Sequence, residues 1–241
     1  MNIVPLKEGN FSVSKNKEFT KLNEFSPTND LKMAINPFLV MAGDDHILLD
    51  AGLGRVDQEG TPSIYHNLKN EQVMPTAITK ILLSHLHKDH INGLGQLKNG
   101  KLKPNFPEAK IFLQKRELAF ALQQKEVPSY DLRMLEQLTE WPNLVFMEED
   151  AGMLSNEISY QVTGGHTPFH QVFWIREQNQ VIFYGADNLP QRGYLKLHIA
   201  YKSDYDGKRA MTLRQEWEKK ANEEHWSVLL YHDMKMPILK F

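Results

Sequence analysis

The chain has 241 residues, 41% hydrophobic and 24% charged, with a formal net charge of −2 and no cysteine. This composition is ordinary for a water-soluble protein with a sizeable core, and it supplies no clustered basic surface of the kind nucleic-acid binding needs. The missing cysteines exclude disulfides, thiolate nucleophiles and Cys-held zinc, so any metal has to be held by histidine and carboxylate.

The first third reads as β-rich. Residues 11–13 and 36–41 have strand patterns, and Gly43-Asp44-Asp45 turns the second into residues 46–50 as a hairpin. Residues 62–70 predict a short helix, with Thr61 as its N-cap ahead of Pro62. The apolar run 78–84 predicts a buried strand, and Ile91, Leu94 and Leu97 recur at helical spacing over 91–98, although Gly93 and Gly95 oppose a helix there. Strand 109–114, helices 115–125 and 130–141, and strands 144–147, 158–163, 171–176 and 181–185 follow. Residues 189–208 show no periodicity and suggest a long loop beside a site. Helix 207–224 carries Leu213, Trp217 and Ala221 on one core-facing stripe, and strand 226–231 ends at His232-Asp233. No linker or low-complexity tract interrupts the chain, so one unit is expected over residues 1–241.

The chemistry concentrates in His85-Leu86-His87-Lys88-Asp89-His90, directly after strand 78–84. Imidazole suits zinc, iron and their neighbours, and a carboxylate adds a hard anionic ligand. Without a metal, burying His85, His87, Asp89 and His90 together would leave several polar groups to satisfy. Three further strands also empty into ligand-type residues, at His166 (with His170 following), Asp187 and His232. These are enough for two ions. His85, His87 and His166 can hold one, Asp89, His90 and His232 the other, and Asp187 can bridge the pair.

The run His85-x-His87-x-Asp89-His90, followed in order by His166, Asp187 and His232, resembles the metallo-β-lactamase superfamily over about residues 36–232. Ile47-Leu48-Leu49-Asp50-Ala51-Gly52 is similar to that superfamily's early strand and Asp-Gly turn. The resemblance implies an α/β fold, a four-layer αββα sandwich with metals at one edge. Asp187 stands where the thiolate-bearing zinc β-lactamases have Cys, so antibiotic hydrolysis is not the expected activity. The seven ligands are most similar to the lactonase, phosphotriesterase and glyoxalase II-like branches. Lactonases of the superfamily often place Tyr three residues after the bridging Asp; here that position is Pro190, which leaves Tyr194 as the candidate substitute.

Asp50 is expected to accept a hydrogen bond from a ligating imidazole, and His170 to pack behind the ligands. Asp233 reads as either a supporting group or a turn residue. His46, His66, His198 and His225 lie outside any motif, with His198 singled out only by its loop. Phe169, Arg192 and Tyr194 are the candidate substrate contacts.

The expected cofactors are two divalent ions, zinc first, with manganese or iron as alternatives. They would generate a bridging hydroxide that attacks a carbonyl ester or lactone, while Asp89 carries a proton to the leaving group. Phosphoester, phosphotriester or thioester hydrolysis is the alternative within the fold. A mononuclear iron sulfur-oxidising enzyme and a non-catalytic metal-binding protein are the rivals from other classes. The expected partner is a small molecule, with neither nucleic acid nor membrane, and the chain is expected to be a monomer or homodimer. The first residues lack a signal-peptide pattern and no apolar run reaches membrane-spanning length, which makes a cytoplasmic location the expectation.

Overall fold

The computed structural model describes residues 1–22 and 30–241. The N-terminal part contributes β1 (Asn2–Pro5), β2 (Gly9–Val13), β3 (Phe19–Lys21), β4 (Leu31–Ile35), β5 (Phe38–Ala42) and β6 (Asp45–Leu49), then helix α1 (Ser63–Asn70) and β7 (Lys80–Leu82). The middle holds α2 (Lys88–Ile91), β8 (Gly95–Lys98), β9 (Lys101–Pro104), β10 (Lys110–Gln114), α3 (Lys115–Ala121), α4 (Leu132–Leu138), β11 (Leu144–Met147) and β12 (Ala151–Met153). The last part runs through β13 (Ile158–Val162), β14 (Gln171–Glu177), β15 (Gln180–Tyr184), α5 (Gly193–Leu197), α6 (Gly207–Glu224), β16 (Ser227–Leu229) and β17 (Ile238–Lys240).

Two six-stranded sheets form the centre, ordered β1-β5-β6-β7-β10-β11 and β12-β13-β14-β15-β16-β17. Their strands are apolar on both faces, and successive side chains go to different cores. Phe38, Val40, Ile47, Leu49, Leu82 and Phe112 of the first sheet meet Phe173, Ile175, Ile182, Tyr184 and Leu229 of the second. The alternate residues Leu39, Leu48, Ile81, Ile111 and Leu113 instead face Ile64 and Leu68 of α1, Leu118 of α3 and Met134, Leu135 and Leu138 of α4. On the outer face of the second sheet, Val172, Phe183 and Val228 pack on Trp217 and Ala221 of α6. The result is the αββα order of layers.

Parallel pairing decides where the ligand-type residues emerge. Leu49 pairs with Leu82 and Tyr184 with Leu229, all at strand C-termini. Asp50 follows Leu49 directly, whereas His85, Asp187 and His232 each lie three residues beyond Leu82, Tyr184 and Leu229. Register therefore delivers these side chains to one edge of the sandwich, as in other open α/β sheets. The Ser84 carbonyl accepts the Gln171 N–H at 2.9 Å and the Leu83 carbonyl accepts Gln171 Nε2–H at 2.7 Å, stitching the two sheets together beside that edge.

Several elements differ from the sequence expectation. The helical spacing over 91–98 ends at Ile91, and the chain goes on through a single 3₁₀ turn into β8. The two glycines explain this. A Cβ on Gly93 would lie 1.8 Å from the Ala51 carbonyl oxygen, and one on Gly95 2.6 Å from that of Lys103. Both are close-approach positions, a use of glycine that periodicity does not register. Thr61 does not cap α1; its N–H goes to Asp57 Oδ1 at 2.9 Å, and the helix starts at Ser63 with Pro62 in the N-cap position and no side-chain cap. Helix 130–141 is shorter because Asp131 caps it, accepting the Met134 N–H. The expected loop 189–208 contains α5. Strands β1, β3 and β4 carry no strand signal of their own and are held by pairing, β1 on β5 and β3 and β4 on either side of β2. No helix among the described residues is long and apolar enough to cross a membrane.

Candidate metal centre

The His85–His90 run is shaped by its neighbours. The chain stays extended through His87, which starts α2, and α2 then carries Asp89 and His90. Ala51 N donates to the His90 carbonyl at 2.7 Å and Gly93 N to the Gly52 carbonyl at 3.1 Å, so the Asp50–Gly52 turn lies against α2. Asp50 occupies the left-handed region, with φ of 52°, which an aspartate tolerates better than most residues.

Three imidazole nitrogens converge. His87 Nδ1 lies 3.0 Å from His85 Nε2 and 3.1 Å from His166 Nε2. Asp187 joins them, with Oδ2 3.2 Å from His166 Nε2 and 3.9 Å from His85 Nε2. Its other oxygen faces a second group, 3.2 Å from His90 Nε2 and 3.1 Å from His232 Nε2. Asp89 Oδ2 completes that group, 3.6 Å from His232 Nε2 and 3.8 Å from His90 Nε2. The atoms offered by His85, His87, His166 and Asp187 all lie within 4.8 Å of one another, as do those of Asp89, His90 and His232.

The far nitrogens of four rings are anchored, which sets their tautomers. His90 Nδ1–H donates to Asp50 Oδ2 at 2.7 Å, His232 Nδ1–H to the Ala34 carbonyl at 2.8 Å, and His166 Nδ1–H to Asp204 Oδ1 at 2.8 Å. Ser84 Oγ gives its proton to Asp50 Oδ2 at 2.6 Å and so accepts from His85 Nδ1–H at 3.0 Å. Each of these rings then turns its other nitrogen inward. Asp50 also accepts from Ser84 N–H and Tyr184 Oη–H, so both of its oxygens already hold hydrogen bonds.

Charge at the centre is arranged to match. Burial and the adjacent imidazoles hold His85 and His87 well below the usual histidine range, so both stay neutral. For His90, burial opposes the charged form, but the Asp187, Asp89 and Asp50 carboxylates override it and raise its pKa well above that range. Asp187 is buried, which works against ionisation, yet His232, His90 and His166 keep it well below the ordinary carboxylate value. Among the described residues, the buried atoms His90 Nε2 and Asp187 Oδ1 have no well-aligned hydrogen-bond partner, although they approach each other to 3.2 Å. Five imidazole nitrogens and the Asp89 and Asp187 carboxylates turned to one buried place are a donor set that fits divalent cations.

The remaining candidates are placed as follows. His170 is fully buried behind His85, their ring centroids 5.2 Å apart, and takes a hydrogen bond at Nδ1 from Asn188. Asp233 is a turn residue whose carboxylate accepts the N–H groups of Arg192, Lys235 and Met236. A cleft of about 450 Å³ opens over Asp89, His87, His166, Asp187 and His232. Tyr194 and Pro190 line it, but Phe169 and Arg192 do not. The Phe169 ring lies under the Arg116 guanidinium, and the Arg192 side chain points out towards Met236. Both expectations therefore fail on side-chain direction. His198 is exposed at the C-terminus of α5, away from the cleft lining.

Sequence reasoning missed Ser84, Tyr184, Asp204 and Glu117. Glu117 is fully buried and accepts from Thr167 Oγ at 2.9 Å and Phe169 N at 3.3 Å; burial raises its pKa to about 7. It braces the loop that carries His166. Ser84 could have been suspected from its place at the strand end, whereas Asp204 has no local signal.

Fold and cluster together define a class, the αββα proteins that gather histidine and aspartate at one sandwich edge. The chain belongs to the metallo-beta-lactamase superfamily, whose profile matches residues 32–223. A probable metal-dependent hydrolase from Staphylococcus aureus superposes with a TM-score of 0.81 at 19% identity, covering 99% of this chain and 91% of that one. The hydrolase AbOPH gives 0.73 at 22% identity over 99% and 89% of the two chains. AidC, a dizinc quorum-quenching lactonase in complex with a product, N-hexnoyl-L-homoserine, gives 0.70 at 26% identity over 86% and 75%. No curated protein matches the sequence.

Proposed function

We propose that the chain is a metal-dependent hydrolase that opens a carbonyl ester or lactone, with His85, His87, Asp89, His90, His166, Asp187 and His232 holding two divalent ions, zinc first. The observation that carries this reading is the inward-facing set of imidazole nitrogens, with four of the five rings pinned from behind and Asp187 presenting one oxygen to each group. Ions bound there supply Lewis acidity, polarising a carbonyl oxygen and lowering the pKa of water towards neutrality.

The chain's own residues do the rest. Asp89, buried at the cleft floor and held by Tyr231 Oη donating to its backbone carbonyl at 2.7 Å, passes a proton to the leaving oxygen. Tyr194 lines the same cleft, and burial with the neighbouring Tyr201 raises its pKa well above the ordinary tyrosine value. It therefore stays protonated and serves as a hydrogen-bond donor to the substrate carbonyl, in place of the tyrosine that Pro190 displaces. The mixed apolar and polar lining suits a small acyl substrate, as with the dizinc lactonase AidC.

Elemental analysis of the purified chain, together with a panel of acyl-homoserine lactones, aryl esters, glutathione thioesters and phosphotriesters assayed with added zinc, tests the proposal. The expected result is two metal ions per chain and turnover of a lactone or ester that Asp187→Ala and His87→Ala abolish. A single iron without hydrolysis, or full activity in either variant, overturns it.

A further inference from the structure

The cleft has a feature that hydrolysis of a neutral acyl chain does not use. Three lysines, Lys15, Lys17 and Lys88, line it, and among the described residues none of them forms an ion pair. The carboxylates in the same lining are Asp89, Asp187 and Asp204, and all three face imidazoles. The lysines and carboxylates of the lining are equal in number, but the carboxylates are turned to imidazoles, which leaves the lysines as the charged groups without a partner among the described residues.

The lysines are also presented by a built turn. Between β2 and β3 the Ser14 carbonyl accepts Lys17 N–H at 2.9 Å, and Ser14 Oγ accepts Glu18 N–H at 3.2 Å. Lys17 adopts the left-handed region, with φ of 57°, and is half-buried. Below the turn the wall is apolar, with Phe19, Leu31 and Met33 from the three-stranded sheet. Partial burial without a counter-ion costs a lysine some of its hydration, and an anion arriving from solution offsets that cost.

Resting on the hydrolase reading above, we infer that the substrate carries an anionic oxygen group, carboxylate or phosphate, joined to the scissile carbonyl by a short apolar spacer. Lys15 and Lys17 receive the anion and the apolar wall receives the spacer. These lysines are specificity-determining residues and take no part in bond cleavage.

The test uses the zinc-loaded full chain and two metal-binding probes matched in length, hexanohydroxamate and its ω-carboxy counterpart, adipic monohydroxamate. Calorimetry is expected to show the ω-carboxy probe binding about tenfold more tightly at low salt, the sum of two part-exposed ion pairs. That preference should shrink towards unity near ~0.5 M salt, where screening is strong. It should also collapse in the Lys15→Gln/Lys17→Gln double variant. The p-nitrophenyl esters of the same two acids report the split in kinetics, with the anionic ester favoured through KM. An ω-phosphono hydroxamate run alongside separates the sources: equal affinity to the carboxy probe indicates a carboxylate-bearing substrate, and a further gain indicates a phosphate. Equal binding of the neutral and anionic probes, or a preference that survives in the double variant, overturns the inference. If neither hydroxamate binds the zinc-loaded chain, the metal-site reading itself falls and takes this inference with it.

Discussion

Asp50→Asn is the sharpest perturbation of the centre, because it keeps shape and backbone while changing one atom. Asparagine tolerates the left-handed φ of 52° at this position, so no backbone strain confuses the result. The native carboxylate receives Ser84 N–H on Oδ1, and Ser84 Oγ–H, Tyr184 Oη–H and His90 Nδ1–H on Oδ2. An amide oxygen can replace only one of these two atoms. With the oxygen at the Oδ2 place, the NH₂ group faces the Ser84 N–H as donor against donor, which costs about 1–3 kcal/mol for a buried lost bond. The three surviving bonds also lose their charge assistance, which brings the total to roughly 3–4 kcal/mol. At this chain length that corresponds to a fall in melting temperature of roughly 6–15 °C. His90 is no longer aligned by a charge, so zinc affinity should fall about ten- to a hundredfold. Scanning calorimetry of the metal-free protein and competition against a chelating dye measure the two effects. A variant that melts within about 2 °C of the parent and binds zinc within about threefold of it would show that Asp50 neither secures the edge nor orients His90.

Gly93→Ala should prevent the Asp50–Gly52 turn from seating on α2, because its Cβ would fall 1.8 Å from the Ala51 carbonyl oxygen. A loss of about 3 kcal/mol or more, read from urea midpoints, is expected, and a neutral result would contradict that close approach. Arg214 is fully buried, donates to the Asn188 carbonyl at 2.9 Å and the Ile199 carbonyl at 2.5 Å, and lies against the Tyr194 and Tyr201 rings. Arg214→Met should loosen residues 192–206 and speed tryptic cleavage after the exposed Lys196 and Lys202 at least about tenfold; unchanged cleavage argues against that anchoring. Burial raises Glu8 to about 7, so between its unfolded value near ~4.3 and about 7 the folded state holds a proton that the unfolded state has released. Stability should therefore fall as pH rises through that window, by up to about 4 kcal/mol from this group, and stay level above it. Glu8→Gln should flatten that decline relative to the parent; parallel pH–stability curves would rule out the buried charge as its cause.

What the sequence determined by itself was everything that depends on neighbours along the chain. The His85–His90 run, the apolar strands that empty into His85, Asp187 and His232, and the core stripe of α6 are all local patterns, and each appears in the structure where its spacing put it. What only the tertiary structure decided depends on partners far apart in sequence. Asp50 meets Ser84 across 34 positions and Tyr184 across 134, His166 meets Asp204 across 38, and His232 meets the Ala34 carbonyl across 198. Such partners leave no periodic trace, since a hydrogen bond imposes no pattern on the residues between its ends. The same holds for side-chain direction, which took Phe169 and Arg192 away from the cleft and brought Lys17 and Tyr194 to it. Composition and spacing specify which groups are available; packing of the two sheets and the register of their parallel strands decide which of them face one another.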